Sequence, residues 1–250
     1  MTAQQAGENA PFYSIIITTY NSASTIEACI SSILVQEYEN FEVLIQDGNS
    51  GDDTVRLVQR HKDVRIKLIT KADSGIYDAM NKALDRSSGS WIFFLGSDDT
   101  LYSRDVLKQV HGTVTASPES RFVYGDVYTS ENQLQRYNRY NYKKLLNLNI
   151  CHQAIFYHRS LFDNIRYSLQ YKIFSDWDVN LTVFRSSNHP VYTGLPVANF
   201  NLSGTSARWY NDPEYLQYFS DKKALALHYR GRLFWWYYRL SSFIHKIIRS

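Results

Sequence analysis

Within its first hundred residues this chain runs strand-like apolar stretches into polar turns and then into helical spacing, over and over, and no other feature restricts its fold more. Tyr13–Thr19, reading YSIIITT, has the β-branched composition of a buried strand. Asn21 and Ser22 break it, Ser24 or Thr25 stands where a helix cap belongs, and Ile26, Cys29, Ile30, Ile33 and Leu34 recur at helical spacing. Residues 41–45 are predicted as a second strand, followed by turn chemistry and a helix opening at Thr54. Residues 65–70 and 91–95 are predicted as the third and fourth strands, with a helix over residues 75–84 between them. Such alternation predicts an α/β fold, a mostly parallel sheet with helices on both faces.

Ligands of these sheets bind outside the carboxyl ends of the strands. The polar residues fall there: Thr19, Tyr20 and Asn21 after the first strand, Asp47 after the second, Asp73 after the third, and Ser97, Asp98 and Asp99 after the fourth. Beyond them the pattern is less regular. Residues 122–128, 154–157 and part of 191–202 read as strands, 175–184 as a helix, and 213–250 as a helical extension. The expected division is a donor-binding subregion at 12–125, a second subregion at 126–212 and the C-terminal segment 213–250.

Composition narrows the function classes. A net charge of +3 is too small to imply nucleic acid. Cys29 and Cys151 form no CxxC pair and are expected to be reduced and mostly buried. The first ten residues lack the basic and apolar regions of a signal peptide, and no apolar run is long enough to span a bilayer, so a cytoplasmic location is expected.

Asp98 and Asp99 are the centre of the chemistry. Adjacent carboxylates at the end of a buried strand repel each other unless a positive group neutralises them. Mg²⁺ or Mn²⁺ does so with one or two carboxylates and phosphate oxygens, and then stabilises a leaving diphosphate. The plainer reading is that Asp99 or Ser103 caps a following helix. Asp47 is placed to accept hydrogen bonds from a base or ribose, or to cap its own turn. Thr19, Tyr20 and Asn21 line the same edge, with Tyr20 set against the base. Residues 201–206 form a small-residue loop whose amides, Ser206 included, suit phosphate, with Arg208 as its partner; an ordinary loop is the alternative.

From Ser14 to Asp99 the segments IIITTYNSASTIEACISSIL, FEVLIQDGNSGDDT, ADSGIYDAMNKAL and WIFFLGSDD follow in order. Together they resemble family 2 glycosyltransferases of the GT-A fold, and the DSGIYDAMNKA wording resembles enzymes of bacterial surface-polysaccharide assembly. The resemblance implies a nucleoside diphosphate sugar donor, commonly a UDP-sugar, with Asp47 holding the nucleoside and Asp73 contacting the donor. It implies the metal on the strand-end acidic motif. The family's usual form is nearer Asp-x-Asp-Asp; here Gly96 takes the first place, which leaves Asp98 as principal ligand and Asp99 in support.

Inverting transfer needs a base for the acceptor hydroxyl, and the resemblance implies a carboxylate in the second half, at the start of a helix. The matching segment is Phe174-Ser175-Asp176-Trp177-Asp178, with Asp176 as the expected base and Asp178 in reserve. A helix cap is the alternative role for Ser175 or Asp176. His152 and Gln153 stand where related sequences carry a similar pair and are expected near the diphosphate or acceptor.

The implied acceptor is a saccharide or lipid-linked saccharide. Phe234 to Tyr238, among Arg230, Arg232, Arg239, Lys246 and Arg249, has the mixture of aromatics and cations that suits the inner leaflet of the cytoplasmic membrane. Alternatively these aromatics pack on the body, or on a second copy in a homo-oligomer. Competing functions are a non-catalytic nucleotide- or carbohydrate-binding module, and a nucleotidyltransferase, whose Gly-rich basic loop the N-terminal stretch lacks.

Overall fold

The computed structural model describes residues 10–186, 189–202, 221, 224–225 and 227–229. Strand β1 (Tyr13–Thr19) lies between β2 (Phe41–Asp47) and β4 (Trp91–Gly96), parallel to both, and β3 (Ile66–Thr70) extends the sheet beyond β2. Ile15, Ile16 and Ile17 are all fully buried, which requires cover on both faces of the strand. Helices α1 (Ile26–Leu34), α2 (Thr54–Arg60), α3 (Ile76–Leu84) and α4 (Val106–Ala116) belong to this half. The strands sit where the periodicity predicts. β2 runs through Asp47, whose backbone pairs with Thr19, so this carboxylate leaves the sheet itself and not the turn beyond it.

The order β3-β2-β1-β4 reverses direction between β1 and β4. A crevice opens at such a switch point, outside the strand ends. The second half continues the same sheet with mixed polarity. β8 (Ile155–His158) runs antiparallel to β4, and β6 (Phe122–Thr129) antiparallel to β8. β9 (Val191–Phe200) is parallel to β6, while β5 (Thr100–Leu101) pairs with β9 and β7 (Leu134–Gln135) with β6. β5 and β7 are two residues each, too short to register as a period. Helices α5 (Tyr142–Leu145) and α6 (Ser175–Arg185) complete the described body, whose buried side chains form one cluster across both halves.

At the amino edge, opposite the crevice, Glu42 ties the strands together. Its carboxylate accepts from Ser14 Oγ at 2.6 Å, Ser88 N at 2.7 Å, Ser88 Oγ at 2.8 Å and Lys67 Nζ at 2.6 Å.

Of the C-terminal segment, the described residues pack on the body. Leu225 is buried, Ile173 N donates to Asp221 Oδ2 at 2.9 Å, and Tyr229 OH donates to Asp178 Oδ1 at 2.8 Å. The basic and aromatic stretch from residue 230 onward, Ser206 and Arg208 lie outside the described residues. Among the described residues no helix is long and apolar enough to cross a membrane.

Candidate active site

Asp47, the last residue of β2, is fully buried and turns both oxygens onto the loop that follows. Oδ2 accepts from Asn49 N at 3.1 Å and Ser50 N at 3.0 Å, and Oδ1 from Ser50 Oγ at 2.5 Å. The loop is then locked to the end of β1: Asn21 N donates to Ser50 Oγ, and Gly51 N to Asn21 Oδ1, each at 2.9 Å. Asn21 adopts φ 49°, a left-handed conformation that Asn tolerates better than most residues. Thr19 Oγ1 is buried at this edge with no hydrogen-bond partner among the described residues, and Tyr20 stands 65% exposed beside it. Gly48 lets the next group close in: a Cβ there would lie 2.9 Å from Asp73 Oδ2 and 3.4 Å from Tyr20 Cδ2. Asp73 Oδ1 accepts from Gly75 N at 2.9 Å, just before α3. Thr19, Tyr20, Asn21, Asp47 and Asp73 thus come together on one edge.

Across the switch point Ser97 Oγ lies 2.9 Å from Ser22 Oγ, and Cys29 Sγ donates to Gly96 O at 3.3 Å. Both cysteines are unpaired. Asp98 and Asp99 fold back over Gly96, where a Cβ would strike Asp99 Oδ2 and come within 2.9 Å of Asp98 Oδ1. Glycine at this place lets the two carboxylates converge. Asp99 is 1% exposed and fully engaged: Oδ2 accepts from Gln153 Nε2 and Oδ1 from Asn201 N, each at 2.7 Å. Burial, reinforced by the neighbouring Asp98 charge, raises its pKa to about 6 against the pull of those donors. It caps no helix, since α4 begins only after Asp105.

Among the described residues no three His, Cys, Asp or Glu side chains gather into a metal site of their own. A cation that arrives with a diphosphate takes only one or two carboxylates from protein. The convergence over Gly96 fits that arrangement, with Asp98 as the residue to hold it and Asp99 fixed beneath.

Antiparallel pairing brings the rest of the site to the same edge. Because β8 opposes β4, the turn before β8, His152–Ala154, falls beside the carboxyl end of β4. Gln153 reaches Asp99 from this turn, and His152 Nδ1 lies 3.7 Å from Asp176 Oδ2. Asp176 occupies the first turn of α6, where a helix N-terminus favours negative charge. Its Oδ1 accepts from Trp177 N at 2.8 Å and its Oδ2 from Asn149 Nδ2 at 3.0 Å, while Tyr77 OH, which donates to Ile173 O, lies 3.3 Å from Oδ1. Ser175 Oγ is buried with no hydrogen-bond partner among the described residues, and it is Asp176 that accepts from the first-turn amide of Trp177. Asp178, two residues on, faces Tyr229 on the far side of the helix, and burial raises its pKa.

Tyr77, Asn149 and Asn180 are site residues that the sequence reading passed over. A signal existed for two of them. Tyr77 and Asn81 lie four apart on α3 and both reach the half that carries Asp176, Tyr77 to Ile173 O and Asp176, Asn81 to Tyr167 through both its amide atoms. Asn180 is a polar residue one turn after Asp176 on a buried helix face. Asn149 carried no pattern, because it sits in a loop.

A parallel half-sheet with a polar switch point, continued by an antiparallel half that returns a carboxylate to the same edge, is the architecture of a GT-A enzyme. The chain belongs to glycosyl transferase family 2, whose model matches residues 14–186. It is 38% identical over 216 residues to the PGL/p-HBAD biosynthesis glycosyltransferase of Mycobacterium tuberculosis, covering 83% of this chain and 84% of that protein. It is 30% identical over 201 residues to the Escherichia coli UDP-Glc:alpha-D-GlcNAc-diphosphoundecaprenol beta-1,3-glucosyltransferase WfgD, covering 77% and 78%. Among solved structures, S. aureus TarS 1-349 in complex with UDP-GlcNAc matches with a TM-score of 0.67 at 18% identity, over 76% of this chain and 58% of that one. The mannosyltransferase PcManGT from Pyrobaculum calidifontis, in complex with GDP-Man and Mn2+, matches at 0.59 and 23% identity, over 75% and 55%. These two likenesses are of fold. The chain is therefore a family 2 glycosyltransferase of polysaccharide or glycolipid biosynthesis.

Proposed function

We propose that the enzyme moves a sugar from a UDP-sugar to a hydroxyl of a saccharide or lipid-linked saccharide, with inversion at the anomeric carbon. Residues 12–125 hold the donor, and residues 126–212 supply the acceptor side and the base. One observation carries this reading. The turn His152–Ala154 touches both acidic centres, Gln153 bonding Asp99 while His152 lies against Asp176. A carboxylate that removes a proton and a carboxylate edge that faces a diphosphate then stand on opposite sides of one crevice.

The donor lies along Thr19, Tyr20, Asn21, Asp47, Asp73 and Ser97. Tyr20 offers its exposed ring to the base, and the Asp47-ordered loop walls the nucleoside. Asp98 would hold a divalent cation, Mn²⁺ or Mg²⁺, which when bound would supply Lewis-acid stabilisation to a leaving diphosphate. Asp176 takes the proton of the attacking hydroxyl; its two oxygens are oriented by Trp177 N and Asn149. His152 and Gln153 border the reacting groups. The UDP-Glc donor and lipid-linked acceptor in the name of WfgD support this choice. Such an acceptor would place the enzyme at the inner face of the cytoplasmic membrane.

Calorimetric titration with UDP and with GDP, each with and without Mn²⁺, tests the donor side. Metal-dependent UDP binding that Asp98→Ala abolishes is the expected result. GDP preference, or UDP binding indifferent to both the metal and Asp98, would overturn it.

A further inference from the structure

Behind Asp176 runs a chain of side chains that the transfer reaction has not yet required. Tyr157 OH donates to Asn180 Oδ1 at 2.7 Å, Asn180 Nδ2 donates to Asn149 Oδ1 at 2.9 Å, and Asn149 Nδ2 donates to Asp176 Oδ2 at 3.0 Å. Tyr157 and Asn180 are fully buried, on β8 and α6, so the inner end of the chain is set by the sheet and the helix. Asn149 is partly exposed and joins that frame to the carboxylate.

The chain can run in one direction only. Asn180 Nδ2 also lies 3.2 Å from the carbonyl oxygen of Ile150, which accepts and cannot donate. The amide nitrogen of Asn180 must therefore face that carbonyl, and with it Asn149 Oδ1. Asn149 in turn has its nitrogen left for Asp176. Turning either amide over would set oxygen against oxygen, at the buried contact with the Ile150 carbonyl or at the part-buried contact with Asp176. A backbone carbonyl thus decides that Asp176 receives an N–H on Oδ2.

A carboxylate rotates broadly about its last torsion and has no preferred plane of its own. A base must nevertheless meet the acceptor proton within hydrogen-bond reach and in line. We infer that Asn149, oriented by Asn180 and Tyr157, is a positioning residue that sets the plane of the Asp176 carboxylate for proton abstraction. The inference rests on Asp176 as the base. Asn180 lies four residues after Asp176, so the same helix that carries the base carries the residue that aims its partner.

The test uses the full chain with Mn²⁺ and UDP-glucose, UDP-galactose and UDP-GlcNAc, following UDP release with and without an octyl glycoside acceptor. Asn149→Ala and Asn149→Leu are compared with the parent; leucine keeps the shape of asparagine and has no N–H. Both are expected to lower kcat by about tenfold to a hundredfold. UDP affinity by calorimetry, KM for the donor and the melting temperature are expected to stay at parental values. Tyr157→Phe should give a smaller fall in kcat of the same kind. A kcat for Asn149→Ala within about twofold of the parent overturns the inference, as does full recovery in Asn149→Leu, which would mean that only shape matters. Asp176→Asn separates the two failures. If it is inactive while Asn149→Ala is unaffected, the positioning role alone falls. If it turns over normally, or if the parent releases no UDP from any donor, the base assignment falls and this inference with it.

Discussion

Gln153 and Asp99, 54 residues apart in sequence, are joined by a 2.7 Å bond from Nε2 to Oδ2. The bond stitches the antiparallel half of the sheet to the acidic edge of the parallel half. It also supplies a donor, beside Asn201 N, to a carboxylate that is 1% exposed. Gln153→Leu leaves Asp99 Oδ2 buried without that donor. The cost expected is about 1–3 kcal/mol, read from urea midpoints at neutral pH. An unchanged midpoint would mean that Asp99 finds water in the variant.

Gly96→Ala is expected to damage the donor site more than the fold. The added Cβ meets Asp98 Oδ1 at 2.9 Å and presses harder on Asp99 Oδ2, so both carboxylates must move. Stability should fall by about 1–3 kcal/mol from overpacking, while Mn²⁺-dependent UDP binding weakens about tenfold or more. Paired calorimetry and thermal melts check this. Retained affinity would show that the carboxylates need not converge.

Asp176→Asn and Asp178→Asn should behave oppositely, although the residues are two apart. Asp178 accepts from Tyr229 OH on the far side of α6, and asparagine still offers that oxygen. Asp178→Asn is expected to keep kcat within about threefold, and Asp176→Asn to lose about a hundredfold to ten-thousandfold. Sugar transfer rates at saturating donor decide it. The reverse order would make Asp178 the base.

Stability at low pH should depend on Glu42. Burial pushes its carboxyl up, but the hydrogen bonds from Lys67, Ser14 and Ser88 outweigh that and leave it below the ordinary 4.5. An acid depressed in the folded state adds stability that is complete above the unfolded value. That contribution drains as pH falls below 4.5 toward the lowered folded value. Urea midpoints of the parent should therefore drop more steeply below this pH than those of Glu42→Gln, which should already be destabilised at pH 7. Parallel profiles would remove Glu42 from the account.

The parallel half was legible because its signals are local. Tyr13–Thr19 carries an unbroken β-branched run from Ile15 to Thr19, α1 keeps its helical period, and a short polar turn separates them. The crevice followed from the alternation itself, since a sheet wound in this order carries its ligands at its carboxyl edge. Residues that meet across long separations were not legible in the same way. Nothing in HQA announces that β8 runs against β4 and so delivers Gln153 to Asp99. Asn149 has no period to betray it, because loop residues obey none.

What the sequence determined by itself is therefore the class: the alternating strands, the acidic strand ends and the segments shared with family 2 glycosyltransferases are all properties of neighbouring residues. Tertiary structure alone decided which face Asp176 and Asp178 take, which carboxylate is buried, and which amide nitrogen meets the proposed base. Those are relations between residues far apart in the chain. Packing and hydrogen-bond satisfaction set them after the backbone has closed, and no local pattern encodes them.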